Sequence, residues 1–429
     1  MKILLFTSGA AQMYCGSCLR DNALASALKA AGHDIILLPL YTPTRTDEAN
    51  ASFERVFFGG ISVYLEQASP LFRHTPRFLD RLWDSKLALA LASKSSIPTS
   101  PKLLGELAVS VLRGESGFQK KEIAKLVDWL RHEPPPDVIN LPYALLISLA
   151  KPLKEALRRP VCLTLQGEDL FLEGLHEPYR SQALDLIVEN LPYVDAFLPV
   201  SHYYADFMAG YLGIPRAKMH VVPLGINPEA FAHAASRTDD RWTVGFLARI
   251  APEKGLHNLA GVYLSLREKG ALQGSTLAAA GYLPPEHRSY LDGIEAQFSR
   301  AGLAGEFAYA GELSRQDKVR FLSELDVFSV PTDYVEPKGM FLLEAMAAGV
   351  PVVQPAHGAF PELIEKTGGG LTFHPGDEEA FRQVLLRLYK DRNLGSRLGN
   401  QGASGVREHF TADRMATRAI QVYSGVIGR

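Results

Sequence analysis

Val335-Glu336-Pro337-Lys338-Gly339-Met340-Phe341-Leu342-Leu343-Glu344-Ala345-Met346-Ala347-Ala348-Gly349-Val350-Pro351-Val352-Val353 is the stretch from which the rest of the chain can be read. Pro337 and Gly339 close a loop, and Met340 to Ala348 reads as a short apolar helix stopped by Gly349 and Pro351. A strand, Val352-Val353-Gln354, follows at once. The first N–H groups of a helix have no intrahelical partner, and its dipole favours negative charge there. Gly339, Met340 and Phe341 therefore form a candidate anion pocket, with Glu336 in the entry loop and Glu344 inside the helix on either side. A glutamate in a crossover helix is ordinarily solvated. This helix is almost wholly apolar, so a carboxylate within it needs a reason to be there.

Outward from that stretch, composition sets the frame. At 429 residues the chain is too long for one ordinary core, and two domains are expected. The 47% hydrophobic and 21% charged fractions are those of a soluble globular protein. A net charge of −2 gives no electrostatic case for a nucleic-acid partner. Met1 to Phe6 reads as a strand, interrupted too soon for a signal peptide. No apolar run approaches the ~20 residues of a membrane helix. Three cysteines offer no disulfide framework and suit a reducing cytoplasm.

Taken in order, Lys2 to Phe6, a helix from about Cys18 to Ala31 and Asp34 to Leu38 make a βαβ unit, the opening of a doubly wound sheet. A strand pattern follows over Glu54 to Tyr64. Amphipathic helices, read as an insertion, occupy about Ala68 to His132. Strands are expected again at Asp137 to Asn140, Val161 to Leu165, Asp195 to Pro199 and His220 to Pro223. Asn227 to Asp240 reads as a linker. A second βα series then begins at Trp242 to Leu247, with strands at Thr276 to Ala280, Phe307 to Ala310, Asp326 to Val330 and Val352 to Gln354. The tail from Glu378 is helical. Two successive α/β halves predict two Rossmann-like domains facing each other across a cleft.

In that setting Glu336 and Glu344 resemble the E-x7-E signature of retaining GT-B glycosyltransferases, family 4 above all. The resemblance implies that Glu336 lies against a donor sugar and that Glu344 binds ribose hydroxyls of its nucleotide. Arg249 and Lys254 follow the first strand of the second half, beyond the carboxyl end where a parallel sheet binds its ligands. Two cations there can hold a diphosphate and the charge that grows on a departing leaving group. Their R-x4-K spacing is similar to the family's diphosphate-binding pair. Glu336, Arg249 and Lys254 are thus the candidate catalytic residues. In the resembled family the loop at Gly16 lies over the donor phosphates, and the strand end at Gly311, Glu312 and Leu313 seats the base. Expected domains are 1–227, with the insertion at 68–132, and 228–410, with 411–429 crossing back to the first.

Gln166, Glu168 and Asp169 end a strand of the first half and are candidate contacts to acceptor or donor sugar. Many relatives carry a histidine where Gln166 stands, and glutamine cannot accept a proton. Such a role passes to Glu168, Asp169 or the donor phosphate, unless the cluster simply caps the next helix. Cys15-Gly16-Ser17-Cys18 is also a C-x-x-C between strand and helix, as in thioredoxin-like proteins. Cys162 is the one other cysteine, too few for a four-cysteine zinc site, and the pair reads as reduced loop thiols. No Asp-x-Asp marks a manganese site, so neither metal nor other cofactor is expected. The resemblance implies a glycosyltransferase moving a sugar from a nucleotide diphosphate sugar to a glycan, lipid-linked or small-molecule acceptor. A nucleotide-sugar epimerase and a non-catalytic nucleotide-sugar-binding protein are the alternatives. Basic residues of the insertion (Arg73, Arg77, Arg81, Lys86, Lys94, Lys102, Lys120, Lys121) beside apolar helix faces are read either as a peripheral contact of this cytoplasmic protein with a lipid-linked acceptor at the inner membrane face, or as solvated charges on helices packed against the first domain.

Overall fold

The computed structural model describes residues 1–9, 15–53, 56, 67, 101–232 and 241–428. The chain divides into two compact units, Met1–Gly225 with Ala412–Arg429, and Ile226–Thr411. In the first, parallel strands β1 (Lys2–Thr7), β2 (Asp34–Pro39), β3 (Val138–Leu141), β4 (Val161–Leu165) and β5 (Ala196–Pro199) run in the order β2-β1-β3-β4-β5. Ile3, Leu4, Leu5 and Phe6 are all buried, the continuous apolar run of a strand covered on both faces. Helix α1 (Gly16–Ala30) links β1 to β2, starting two residues earlier than its sequence suggests.

The strand pattern read at Glu54 to Tyr64 falls almost wholly outside the described residues, as does the insertion up to residue 100, with its basic residues from Arg73 to Lys94. The remainder of the insertion is helical, α2 (Pro101–Leu112) and α3 (Lys120–His132), and α3 buries Ile123, Leu126 and Leu130 at helical spacing. His220 to Pro223, expected as a strand, is not one. His220 N and Val222 N do donate to Phe197 O and Pro199 O of β5, both at 2.9 Å. Pro199 and Pro223 have no N–H with which to extend the ladder. Ser201 caps α4 (His202–Leu212), its hydroxyl accepting from Tyr204 N at 3.1 Å.

The second unit has six parallel strands, β6 (Thr243–Leu247), β7 (Thr276–Ala280), β8 (Phe307–Tyr309), β9 (Val327–Phe328), β10 (Val352–Pro355) and β11 (Gly370–Phe373). Their order, β11-β10-β9-β6-β7-β8, is that of a Rossmann sheet, and it reverses between β6 and β9. β9 is shorter than the expected Asp326 to Val330. Asp326 turns its carboxylate to Thr243 N at 2.7 Å, closing the strand's start. β11 was not legible behind Gly368-Gly369-Gly370, a run that reads as a turn. Helices α5 (Leu256–Glu268), α6 (Arg315–Ser323), α7 (Met340–Ala347), α8 (Phe360–Thr367) and α9 (Arg392–His409) belong to this unit.

The last helix, α10 (Ala412–Ile427), belongs to the first unit. Met415, Ala416, Ala419, Val422, Tyr423 and Val426 recur at helical spacing and share one core with Leu24 and Leu28 of α1. Among the described residues no helix is long and apolar enough to cross a membrane.

Candidate active site

In the second unit the polar residues gather where the strand order reverses, beyond the carboxyl ends of β6 and β9. That is where an open parallel sheet leaves a crevice. After β6 the chain passes Arg249 and a 3-10 turn, Pro252–Lys254, before α5. Gly255, at φ +76°, makes this turn possible, since a Cβ there would lie 1.8 Å from Pro331 O in the loop after β9. Asp333 N donates to Glu253 O at 3.0 Å, and Asn258 Nδ2 to Asp333 Oδ1 at 2.7 Å, fastening the two loops together.

The join brings Lys254 to Glu336. Its ammonium donates to Glu336 Oε2 at 2.9 Å and to Tyr334 Oη at 2.5 Å. The Tyr334 hydroxyl in turn donates to Glu336 Oε2. Lys254 Nζ also stands 4.7 Å from the centre of the Tyr334 ring and 5.6 Å from that of Phe341. Glu336 is only 2% exposed. Burial pushes its carboxyl up, but the ammonium groups of Lys254 and Lys338 and the Tyr334 hydroxyl outweigh that and hold it at about 2. At neutral pH Glu336 is a carboxylate, able to accept hydrogen bonds and unable to donate a proton. Arg249 stands apart from this pair: it is exposed and bonds Glu253. Tyr334 was missed in the sequence, although it lies two residues from Glu336.

Helix α7 starts at Met340 behind Gly339 and carries no acidic residue in its first turn, so nothing on the helix itself offsets its positive end. Glu344, one turn further in, is buried as its apolar helix implied. Its partner is Lys318 of α6, whose Nζ meets Oε1 at 2.5 Å. Lys318 carried no signal in the sequence, where a lysine in a polar helix reads as solvated. Gly311 O accepts from Gly281 N at 2.8 Å, fixing the segment after β8 that carries exposed Glu312 and half-buried Leu313 against the residue that follows β7.

In the first unit Gly16 opens α1, beyond the end of β1. Gln166 and Glu168 are buried and turned toward backbone. Gln166 Nε2 donates to Pro142 O at 2.8 Å, while Glu168 accepts from Ala144 N at 2.9 Å and Gln166 N at 2.8 Å. Tyr204 Oη of α4 lies 3.2 Å from Glu168 and 2.7 Å from Asp169. Burial raises the Glu168 carboxyl despite those backbone bonds. The cluster therefore ties three loops together, and Asp169 is its more accessible member. Among the described residues no group of three or more His, Cys, Asp or Glu is placed to hold a metal ion.

Two parallel α/β units of this topology are the GT-B architecture, and known proteins agree. Sucrose-phosphate synthase from Thermosynechococcus elongatus superposes with a TM-score of 0.71 at 18% identity, over 100% of this chain and 99% of that one. Anabaena HepE in complex with UDP and glucose gives a TM-score of 0.69 at 15% identity, over 99% of each chain. Residues 229–404 match the family described as glycosyl transferases group 1, and residues 106–230 match glycosyltransferase family 4. The chain belongs to the group 1, family 4 glycosyltransferases. Among curated relatives, mannosylfructose-phosphate synthase of Agrobacterium fabrum is 26% identical over 273 residues, 61% of this chain and 58% of its own length. Amylovoran biosynthesis glycosyltransferase AmsK of Erwinia amylovora is 27% identical over 253 residues, 56% and 58% of the two chains. The matched region thus spans little more than half the length of these relatives.

Proposed function

We propose that the protein transfers a sugar from a nucleotide diphosphate sugar to an acceptor hydroxyl with retention of configuration, and does so without a metal ion. The observation that carries this is the Lys254–Glu336 pair, held 2.9 Å apart by two loops beside the start of α7, whose first turn carries no acidic residue. A diphosphate laid across that helix start meets free N–H groups of Gly339, Met340 and Phe341 and one side of the Lys254 ammonium. Arg249, exposed on the same loop, adds a second cation as the leaving group's charge develops. Glu336, ionised and buried, faces the electron-poor sugar and accepts from its hydroxyls. Glu344 has Oε1 on Lys318 and offers its other oxygen to ribose. Gly16 joins the phosphates, Gly311 to Leu313 seat the base, and Asp169 is the best placed of its cluster to meet a sugar.

Support for the donor class comes from neighbours that hold UDP or UDP-glucose and from relatives named for GDP-mannose. Acceptor choice, whether glycan, lipid-linked or small molecule, is assigned to the first unit and its helical insertion. Incubation with UDP-, GDP- and ADP-sugars and a panel of acceptors, with and without EDTA, tests the reading. One nucleoside diphosphate should be released in step with glycosylated product, and EDTA should leave the rate unchanged. Donor turnover that never needs an acceptor, or activity lost to EDTA and restored by manganese, would overturn it.

A further inference from the structure

We propose that Cys15 and Cys18 form a redox-active dithiol, a site for thiol–disulfide exchange with a low-molecular-weight disulfide such as oxidised glutathione. Cys15 is the N-cap of α1 and Cys18 lies one turn in, so the two side chains share a face of the helix. Leu19 N donates to Cys15 O at 2.9 Å, so Cys15, itself extended, accepts the first bond of the helical ladder. Positions one turn apart in that ladder fall within the Cα separation, about 4.4–6.8 Å, that a disulfide spans.

All three cysteines of the chain are thiols, and their environments differ. Cys15 is half-buried, while Cys18 and Cys162 are fully buried. Cys162 lies within β4 among apolar side chains and serves as an internal control. Cys18 is surrounded by polar partners. The Cys15 and Cys18 thiols hydrogen-bond each other, and Ser8 Oγ stands 3.7 Å from Cys18 Sγ. The bond with Cys15, followed by burial, pushes the Cys18 thiol up, so Cys18 keeps its proton, and half-buried Cys15 is the thiol a disulfide in solution can reach. A Cys15 thiolate at the positive end of a 15-residue helix with no acid in its first turn is stabilised by the dipole. Asp21 and Tyr143 also face the pair, and neither brings a positive charge that would draw the proton from Cys18.

The chemistry balances without further reagents. Cys15 thiolate attacks one sulfur of the oxidised glutathione disulfide, forming a mixed disulfide and releasing one glutathione thiolate. Cys18 then loses its proton to solvent and attacks Cys15 Sγ, expelling the second thiolate. Two protein thiols are oxidised, one external disulfide is reduced, and two glutathione molecules leave. The ring so closed contains Gly16 and Ser17. Its consequence rests on the donor-binding reading above: if Gly16 N–H meets the donor phosphates, oxidation changes donor affinity.

The full-length protein is equilibrated in glutathione buffers from fully reduced to fully oxidised, trapped with a maleimide and digested with trypsin. Cys15 and Cys18 fall in one tryptic peptide, residues 3–20. Two labels should be lost together, leaving that peptide two hydrogens lighter while Cys162 stays a thiol. Cys18→Ser should accumulate the mixed disulfide on Cys15, and Cys15→Ser should leave Cys18 unmodified, with melting curves confirming that both variants fold. Thiols that persist in wild type at full oxidation, a bond to Cys162 or between chains, or a mixed disulfide on Cys18 in place of Cys15 would each overturn the proposal. Calorimetry with UDP, GDP and ADP should give, for whichever of them the reduced protein binds, an affinity at least tenfold lower in the oxidised form. Equal affinities would remove the coupling alone, and binding of none of UDP, GDP and ADP to either form would remove the donor reading while leaving the dithiol result standing.

Discussion

Lys254 shows how one side chain can organise a site. It is 16% exposed, and it holds a buried carboxylate at 2.9 Å and a phenol at 2.5 Å. Lys254→Ala removes the cation that meets growing leaving-group charge, so the loss should fall on kcat, by about 2–4 kcal/mol, with a smaller change in KM. Wild-type turnover in steady-state assays would sink the assignment. Tyr334→Phe deletes a hydroxyl bonded to both partners and should cost about 1 kcal/mol in kcat/KM, a loss of a few-fold to tenfold. Glu336 adds a pH signature. Its folded-state carboxyl sits near 2, below the ordinary value of 4.5, so its contribution is present above 4.5 and fades as pH falls toward 2. That lowering amounts to roughly 3 kcal/mol. Urea unfolding of wild type and Glu336→Gln should differ most at neutral pH, and the gap should narrow on acidification below about 4.5. A gap that widens in acid would show that the carboxylate is not stabilised by its neighbours.

At the scale of elements, α1 and α7 both present helix starts at a place where strand order reverses, yet their interiors differ. α1 buries a charged pair, Arg20 Nη1 on Asp21 Oδ1 at 3.0 Å, with Arg20 1% exposed. Burial lifts the Asp21 carboxyl to about 6 in spite of Arg20. The sign is opposite to that of Glu336. Between about pH 4 and 6 the folded chain binds the extra proton, so lowering pH from 7 to 4 should raise stability through this group by roughly 2–3 kcal/mol. Asp21→Asn should abolish that gain, and chemical denaturation of both proteins across this range checks it. None of this was legible in Leu19-Arg20-Asp21-Asn22, where neighbouring charges in a helix are ordinarily solvated. α7 was legible because its start, apolar run and stop are local: Gly339, Met340 to Ala347, and Gly349 with Pro351. The partner of its Glu344 was not, since Lys318 is joined to it only by the packing of α6. β9 was overextended and β11 missed for a similar reason. Their lengths are set by neighbours, Thr243 on Asp326 and β10 beside Gly370, rather than by their own residues. Likewise R-x4-K placed Arg249 and Lys254 on one loop but could not show that Lys254 alone pairs with Glu336.

At the scale of the whole molecule, the first unit is built from the two ends of the chain. Met415, Ala416, Ala419 and Tyr423 of α10 lie in one core with Ile3, Leu5, Leu24 and Leu28, and Tyr423 is fully buried. The second unit lies entirely between Ile226 and Thr411 and draws nothing from that core. A chain ending at Thr411 therefore uncovers the α10 side of α1 and leaves the strands, helices and Lys254–Glu336 site of the second unit intact. Each large apolar side chain stripped from that core costs about 2–4 kcal/mol, and several are stripped at once, which exceeds the stability of an ordinary domain. Thermal unfolding of the truncated chain should lose the transition of the first unit and keep that of the second. The nucleoside diphosphate that the intact protein prefers should still raise the surviving transition, by about 2.7 kcal/mol of added stability at a hundred times its dissociation constant. Loss of both transitions together would mean that the second unit depends on the first for its folding. A surviving transition that no longer responds to the nucleotide would place the binding groups outside Ile226–Thr411.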